Sequence, residues 1–453
     1  MLWPLSGLAN ALELPERHGA FWLQLDRFPA APSAAAQNNS LRFESLAALT
    51  EHALRERPES RAAWLGIHAE AARLDAASAA NWPTLTGQLG YTQSRALTSS
   101  GSTAPTLHRY GPSLSLAYVL VDFGARAASI DAQRYQLIAS LLHNNRVLQD
   151  VVAEVEAAYY ALLDVQAQVE ALKQLETSLR ASLEAAEARL KGGLVSRADQ
   201  LRARAALAEA EVARLTAERD QAKAEAALKR TAGIDQTRAL VLDWKTAPPV
   251  AEEAANLLAE LLAEAQRQRP DLQALQAAAA SARAEADRAR AARWPVVSLG
   301  ANGGRTYFTE SDRDASSSYS IGVNLSVPLF DGGRLAAEAR AATRDAERLQ
   351  AEADVQRNQI ALAVTGAYHD VRHAQLQREG IRIQFDSANE SAQAAEARYR
   401  AGVGSLLELL TAQAALARAR QAQAQADADW LSAFSRLNHA LGRLPVPSPE
   451  RAL

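Results

Sequence analysis

The chain has 453 residues, enough for two or three ordinary domains, and a formal net charge of −3 from 49 basic and 52 acidic residues. That balance offers no basic excess for a nucleic acid, so we expect no nucleic-acid partner. The chain has no cysteine, which excludes disulfides, thiolate metal sites and cysteine nucleophiles. No apolar run approaches the roughly 18 residues of a membrane-spanning helix.

Residues 1–44 are predicted to be an N-terminal tail. They open with the apolar stretch MLWPLSGLANALELPERHG, in which Ala9-Asn10-Ala11 has the small-x-small pattern of a signal-peptidase site, although no basic region precedes it. Two interpretations stay open, a secretory signal whose start is missing or misassigned and an unstructured tail. Residues 29–39, PAAPSAAAQNN, have the composition of a disordered lead-in.

The rest of the chain contains an internal duplication. Residues 193–210 (GLVSRADQLRARAALAEA) and 402–419 (GVGSLLELLTAQAALARA) agree at nine of eighteen positions, at an offset of 209. Earlier, RERP ends at Pro58 and RQRP ends at Pro270, an offset of 212, so an insertion or deletion lies in a loop between the two registers. We predict two homologous repeats at 45–233 and 257–442, a linker at 234–256 and a C-terminal tail at 443–453.

Each repeat is predicted to contain the same elements in the same order. A first helix ends before the Arg-Pro turn, and a second helix, about 59–80 or 271–292, runs to a Trp-Pro pair. Two strands with one apolar face follow, because apolar and polar residues alternate, as in SIGVNLSVPL (320–329). The predicted strands are about 83–95 and 111–122 in the first repeat, and about 295–308 and 319–330 in the second.

A long helical hairpin is predicted after each strand pair. Residues 126–190 contain no proline or glycine, and apolar residues recur every seven positions in two series, which is the a/d seam of a coiled coil. About 65 helical residues span roughly 100 Å, more than a compact globule needs. Glycines then break the run. We predict hairpins over about 126–231 and 334–441, with tips at 191–199 and 401–408 and turn glycines Gly193, Gly402 and Gly404.

Four strands with one apolar face cannot form a membrane wall alone, because open sheet edges are costly in lipid. Outer-membrane barrels need eight or more strands, so closure requires several chains that contribute four strands each. Aromatic residues beside the strands suit an interfacial girdle; they are Trp82, Trp294, Tyr110 and Tyr319. The alternative is a soluble coiled-coil scaffold, with the strands as a small sheet that caps the rods.

The duplication, the Trp-Pro turns, LFDGGR (329–334) and the tip pattern GxxSxxEL resemble the TolC-type outer-membrane efflux and secretion channel family, over roughly residues 45–442. The resemblance implies a mainly α fold with a small β part, in which an internally duplicated helical coiled-coil barrel continues into amphipathic strand pairs. Three copies would share one transmembrane β-barrel of twelve strands. The implied location is the outer membrane of a Gram-negative bacterium, with the helical part in the periplasm.

The resemblance further implies a passive conduit rather than an enzyme, without a cofactor, in a tripartite efflux or type I secretion system. The implied partners are identical copies of the chain, outer-membrane lipid, a periplasmic adaptor (membrane fusion) protein and an inner-membrane pump, ABC or proton-driven. The absence of cysteine removes the lipidated class of the family, which anchors through an N-terminal cysteine. The cargo, drug-like small molecules or a secreted protein, stays open.

The resemblance also implies a gate at the tips. Acidic side chains ring the tunnel entrance in this family, and Asp199 and Glu408 match such positions, while Tyr399 matches a tyrosine that helps to tether the closed coils. This chain has Thr411 where the best-known member has a second acidic residue, and Gly404 where an arginine pairs with its neighbours. From residue chemistry alone, the two acids are explained equally well as helix-start residues, which the helix dipole favours. Both interpretations stay open.

The remaining patterns predict no catalytic or metal site. His369 and His373 have the four-residue spacing of a metal pair, but no Glu lies between them as in HExxH and no third ligand is evident. The DGG at 331–333 lacks the Lys-Ser/Thr of a phosphate-binding loop. Acidic and glycine residues recur at the two strand-to-helix junctions, where helix capping explains them; they are Asp122, Gly124, Asp331 and Gly333.

Overall fold

The computed structural model of the chain describes residues 40–95, 106–243, 258–309 and 314–443. The predicted signal sequence and the lead-in at 29–39 lie outside these ranges. So do most of the C-terminal tail and the second half of the linker. Within the described ranges, the two repeats have the same order of helices and strands.

Strand β1 (Ser40–Phe43) precedes the first repeat, whose elements are α1 (Leu46–Glu56), α2 (Pro58–Ser78), a 3₁₀ turn (Ala79–Asn81), β2 (Thr84–Ser94), β3 (Leu107–Val121), α3 (Ala125–Lys191) and α4 (Arg197–Thr231). Those that follow are β4 (Ala239–Leu242), α5 (Leu258–Gln268), α6 (Pro270–Ala291), β5 (Val296–Phe308), β6 (Ser316–Ser326), α7 (Arg334–Arg400) and α8 (Leu406–Leu441). None of these helices combines the length and the apolarity that crossing a membrane requires.

Two long helices determine the shape of the chain. Helices α3 and α7 have 67 residues each, or about 100 Å at 1.5 Å per residue. Helix α3 packs against α2 and α4 on one side and against α6 and α8 on the other, and α7 packs against α6 and α8. The helical layer therefore has two edges, α2 with α4 at one side and α7 at the other.

The predicted heptad seam of α3 lies in the contacts between helices. Seven residues of the seam are buried, namely Val151, Val155, Leu162, Val169, Leu172, Leu179 and Ala186. Midway along the helices, each repeat has its own apolar core. One surrounds Val155, Tyr159 and Leu228, and the other surrounds Ile360, Val364 and Leu441. Burial of these side chains stabilises the rods where propensity alone would not fix their packing.

Residues 40–43 were predicted to belong to the N-terminal tail, but they form strand β1. This strand pairs in parallel with β4, which lies in the predicted linker. Phe43 is buried in the same core as Leu49 and Tyr159, so the pairing covers apolar surface of the first repeat. Each of the two strands has only four residues, and the strands lie far apart in the chain, at 40–43 and 239–242.

Strands β2, β3, β5 and β6 form one antiparallel sheet in that order, which leaves β2 and β6 as its edges. The bounds of two strands differ from the prediction. Strand β3 begins at Leu107 instead of 111, and Gly111 permits this because a Cβ there would lie 1.9 Å from the Arg305 carbonyl oxygen. Strand β6 is Ser316–Ser326 instead of 319–330 and ends before Pro328, which has no N–H for a ladder hydrogen bond.

Candidate functional site

The tips of the two hairpins share one construction. Helix α3 ends at Lys191 and α7 ends at Arg400, and a glycine in the left-handed region follows each, Gly193 with φ 68° and Gly402 with φ 77°. Glycine adopts this conformation without the steric cost of a side chain. Gly404 is needed for space instead, because a Cβ there would lie 3.0 Å from both the Arg398 Cβ and the Tyr399 amide nitrogen.

A serine caps each returning helix, and the two predicted gate acids sit three residues further on. Ser196 and Asp199 form a capping box at the start of α4, in which the Asp199 carboxylate accepts from the Ser196 hydroxyl at 2.7 Å and from its amide at 3.2 Å. These hydrogen bonds hold the pKa of Asp199 below its ordinary value, with the hydroxyl bond as the largest cause. At α8, the Glu408 amide donates to the Ser405 hydroxyl at 3.1 Å. Both acids thus have a helix-start role within a single chain.

Tyr399 lies in the contact between the two tips. Its side chain is 4% exposed and packs in a cluster with Ala186, Ala203, Leu406 and Leu409. The Arg189 guanidinium carbon lies 4.2 Å from the centroid of the Tyr399 ring, and Arg189 Nη2 donates to the Tyr399 carbonyl at 2.7 Å. A cation on an aromatic face combined with a charged donor on a carbonyl makes a strong polar contact. Arg189 therefore ties the first hairpin to the end of α7.

The strand layer presents two chemically different faces. Residues directly opposite each other in an antiparallel pair point to the same face, so the register Leu85↔Leu116 and Ala301↔Ile321 defines one apolar face. The other face carries mainly hydroxyl and amide side chains. Large apolar side chains of the first face are 57–82% exposed in one chain; they are Leu85, Leu89, Leu114, Ile321, Val323 and Leu325. Such an exposed patch requires a partner.

The predicted interfacial aromatics lie near the two ends of this sheet. Trp82 and Trp294 precede β2 and β5 at the helical end, where Trp294 stacks on Phe123 with ring centroids 5.8 Å apart. Tyr110 and Tyr319 lie near the loop end, where Tyr110 stacks on Tyr307 at 5.5 Å. All four predicted residues are at least 44% exposed. Aromatic side chains at two levels suit the two interfaces of a bilayer.

The two edges of the helical layer carry exposed apolar residues. Along α7, four of them recur at multiples of seven positions, Val355, Leu362, Leu376 and Ile383. Along α4, the exposed apolar residues are Leu201, Val212 and Leu215. A heptad series is the seam of a coiled coil, and in one chain this seam has no helix packed on it within the described residues.

A family profile described as Outer membrane efflux protein matches residues 49–234 and 261–443. The chain belongs to the outer membrane efflux protein family. It is similar to Protein CyaE of Bordetella pertussis, with 34% identity over 417 residues that cover 90% of this chain and 82% of that protein. It is also similar to the alkaline protease secretion protein AprF of Pseudomonas aeruginosa, with 28% identity over 347 residues that cover 74% of this chain and 70% of AprF.

The fold is that of solved channels of this kind. The crystal structure of the outer membrane protein VceC from Vibrio cholerae matches with a TM-score of 0.76 and 21% identity, and the match covers 88% of this chain and 96% of VceC. This efflux family protein is therefore an outer-membrane channel component of an efflux or secretion system, with its helices in the periplasm. The prediction of the family and of its channel function is confirmed, and the soluble scaffold is not favoured.

Sequence analysis of this efflux family protein missed two arginines at the tips. Arg189 and Arg398 are equivalent in the duplication at the offset of 209, and each follows Glu-Ala. Their contacts differ, because Arg189 reaches the other hairpin while Arg398 pairs with Glu408 of its own hairpin at 3.2 Å. The offset could have revealed both residues. It could not have revealed which of them crosses between hairpins, since that depends on the packing of the two tips.

The other predicted residues have local contacts. The Asp122 carboxylate accepts from the amides of Gly124 and Arg126, and Asp331 accepts from the amides of Gly333 and Leu335, so each aspartate binds the start of a long helix. Thr411 donates its hydroxyl to the Leu407 carbonyl one turn earlier.

The two histidines on α7 lie apart from any cluster of metal-binding groups. His369 makes an edge contact with the ring of Tyr368 at 5.4 Å. In residues 40–443, apart from the three internal gaps in the description, no three His, Cys, Asp or Glu side chains lie close enough together to hold a metal ion.

Proposed function

We propose that three copies of this chain close into one export conduit, with four strands of each copy in a twelve-stranded barrel and the helices in a tunnel below it. The observation that carries this proposal is that both layers of the chain end in open edges. In the sheet the edges are β2 and β6, and in the helical layer they are α2 with α4 and α7. Head-to-tail association pairs both sets of edges at once, and a rotation that closes produces a ring.

The exposed side chains support this assembly. The apolar seam on α7 would pack against the α4 edge of the next copy, which carries apolar residues of its own. The apolar face of the sheet would face lipid, and the hydroxyl-rich face would line the lumen. Strands of 11 to 15 residues are long enough for this, since a tilted membrane strand needs about 9–11 residues.

The repeats are the structural units of the proposed conduit. We propose the division predicted from the sequence, with repeats at 45–233 and 257–442 around the linker 234–256. Each repeat then supplies two strands and one hairpin, so that six repeats surround the axis. The chain transports without catalysing a reaction, and a periplasmic adaptor and an inner-membrane pump supply delivery and energy. The family and its efflux and secretion relatives support this division of labour.

Gating is proposed at the tips. Asp199 and Glu408 of three copies would place six carboxylates at the periplasmic entrance, beside the Tyr399 contact and Thr411. Cations would be favoured there, because like-signed groups around a narrow opening concentrate counter-ions. The N-terminal positions of α4 and α8 support this placement, since both acids sit at the extreme end of the helical layer.

Paired substitutions separate the charge of these acids from their role at the helix starts. Asp199→Asn with Glu408→Gln removes the charge and keeps a hydrogen-bonding side chain, while Asp199→Ala with Glu408→Ala removes both. We expect both pairs to lower the cation preference of single channels in planar bilayers, and only the alanine pair to destabilise the tips. Unchanged conductance and selectivity in both pairs would show that the acids serve the helix starts alone.

A further inference from the structure

The hydroxyl-rich face of the sheet carries one permanently charged side chain within the four strands, near the loop end. Among the residues of β2, β3, β5 and β6, the side chains with a permanent charge are Arg109 and Arg305, and no carboxylate occurs in these four strands. The register places the two arginines on opposite faces. Arg109 lies opposite Thr92 and Phe308, four residues along the strands from the pair Gln88↔Ser113, whose amide and hydroxyl lie on the same face.

The placement of Arg109 follows from strand alternation. The register of β3 against β5 is the same on both sides of Gly111 and Pro112, from Arg109 to Val119, and it shifts only after Val119. Since Leu114 and Leu116 point to the apolar face, an odd-numbered residue in this stretch points to the other face. Arg109 is exposed there, and its Nη2 donates to the Ser94 hydroxyl at 3.1 Å, which holds the guanidinium across β2.

Arg305 belongs to the apolar face, where it provides a natural comparison. It pairs with Ser317 in β6, on the same face as Tyr319 and Ile321. Its guanidinium carbon lies 5.4 Å from the centroid of the Tyr307 ring. An arginine beside an aromatic ring at this level fits the boundary between lipid and water.

We propose that Arg109 forms an anion-binding ring inside the outer mouth of the channel, with one guanidinium from each copy. The inference rests on the proposed closed assembly. Three permanent positive charges on a face of hydroxyl and amide groups attract multivalent anions, such as polyphosphates or carboxylate-rich segments of a passing chain.

Block of single channels by tripolyphosphate tests the ring. The anion is added on the loop side of wild-type, Arg109→Gln, Arg109→Lys and Arg305→Gln channels in planar bilayers. We expect Arg109→Gln to raise the half-blocking concentration about tenfold, at the low end of what focused charge achieves. Arg109→Lys and Arg305→Gln should block like the wild type, and higher salt should weaken the wild-type block.

The outcomes separate failure of the arginine ring from failure of the proposed three-chain assembly on which it rests. Channels of normal conductance in which Arg109→Gln leaves the block unchanged, or in which Arg305→Gln shifts it equally, overturn the ring and leave the conduit intact. Loss of the block in Arg109→Lys also overturns it, because charge would then not be the cause. A wild-type protein that opens no pore overturns the proposed assembly, and the ring with it.

Discussion

At the scale of single residues, the duplication has diverged where the hairpins meet. Arg189 and Arg398 occupy equivalent positions, yet only Arg189 crosses to the other hairpin. Its ring contact and its hydrogen bond both end on Tyr399, which is nearly fully buried. Arg398 makes an ion pair with Glu408 in which both side chains are about half exposed. The two arginines therefore differ in how much they hold the tips together.

Removal of Arg189 should loosen the closed tips. Arg189→Ala loses a cation–π contact and a charge-assisted hydrogen bond, together about 2–4 kcal/mol. We expect the channels to occupy a high-conductance state at least about tenfold more often. Arg398→Ala is the matched control, because an exposed ion pair contributes about 0–1 kcal/mol. Equal open times for the two variants would refute the special role of Arg189.

Glu156 should make the stability of the folded chain depend on pH. Burial raises the pKa of this carboxyl, and the Ser435 hydroxyl donates to it from α8, where His439 also lies near. A folded-state pKa above the unfolded value means that the folded chain binds the proton more tightly. The stability from this group is therefore greatest at acid pH and is lost as the pH rises through the folded pKa.

Glu156→Gln removes the cost of burying a charged carboxylate at neutral pH and keeps an oxygen that accepts the Ser435 hydroxyl. We expect the variant to melt at a higher temperature than the wild type at pH 7, and the difference to vanish near pH 4. Glu184→Gln, a change at an exposed position of the same helix, should leave the melting temperature unchanged at both pH values. A Glu156→Gln variant that melts lower at pH 7 would show that the charged carboxylate stabilises the fold.

At the scale of elements, sequence patterns predicted the helices better than the strands. Helices α3 and α7 are long because no proline interrupts them, and a left-handed glycine follows each of them, although Gly366 and Gly380 lie inside α7 without ending it. The predicted start of β3 was wrong because Gly111 looks like a turn residue in the sequence. In the structure it lies within the strand, where the absence of a side chain lets the β3 backbone approach β5 closely. The pairing of β1 with β4 joins two four-residue strands far apart in the chain, a contact for which no local pattern exists.

The serine caps should determine how firmly the returning helices begin. Ser196→Ala and Ser405→Ala each remove a side-chain acceptor for the first turn, at a cost of about 1 kcal/mol. We expect amides in the first turns of α4 and α8 to exchange hydrogen about fivefold faster, the factor that corresponds to this energy. Ser387→Ala, within α7, removes only a hydroxyl bound to the Ile383 carbonyl and should not change exchange at the tips. Equal exchange in all three variants would contradict the capping role.

At the scale of the whole molecule, the open edges of the strand layer could be predicted from the sequence, but the positions of the charged side chains in the fold could not. Alternation and duplication already implied four strands that cannot close alone. The separation of Arg109 from Arg305 by the sheet required the observed register, because each strand contains only one of them. The crossing of Arg189 to Tyr399 likewise required the packing of two hairpins.

The central claim is that one chain provides a third of a closed wall. The most direct measurement is the mass of the purified protein in detergent, followed by its conductance in a planar bilayer. Three chains of 48.6 kDa per particle and a single large pore are predicted, and Leu362→Glu on the α7 seam should yield single chains without conductance. A wild-type particle of one chain that opens no pore would contradict the account.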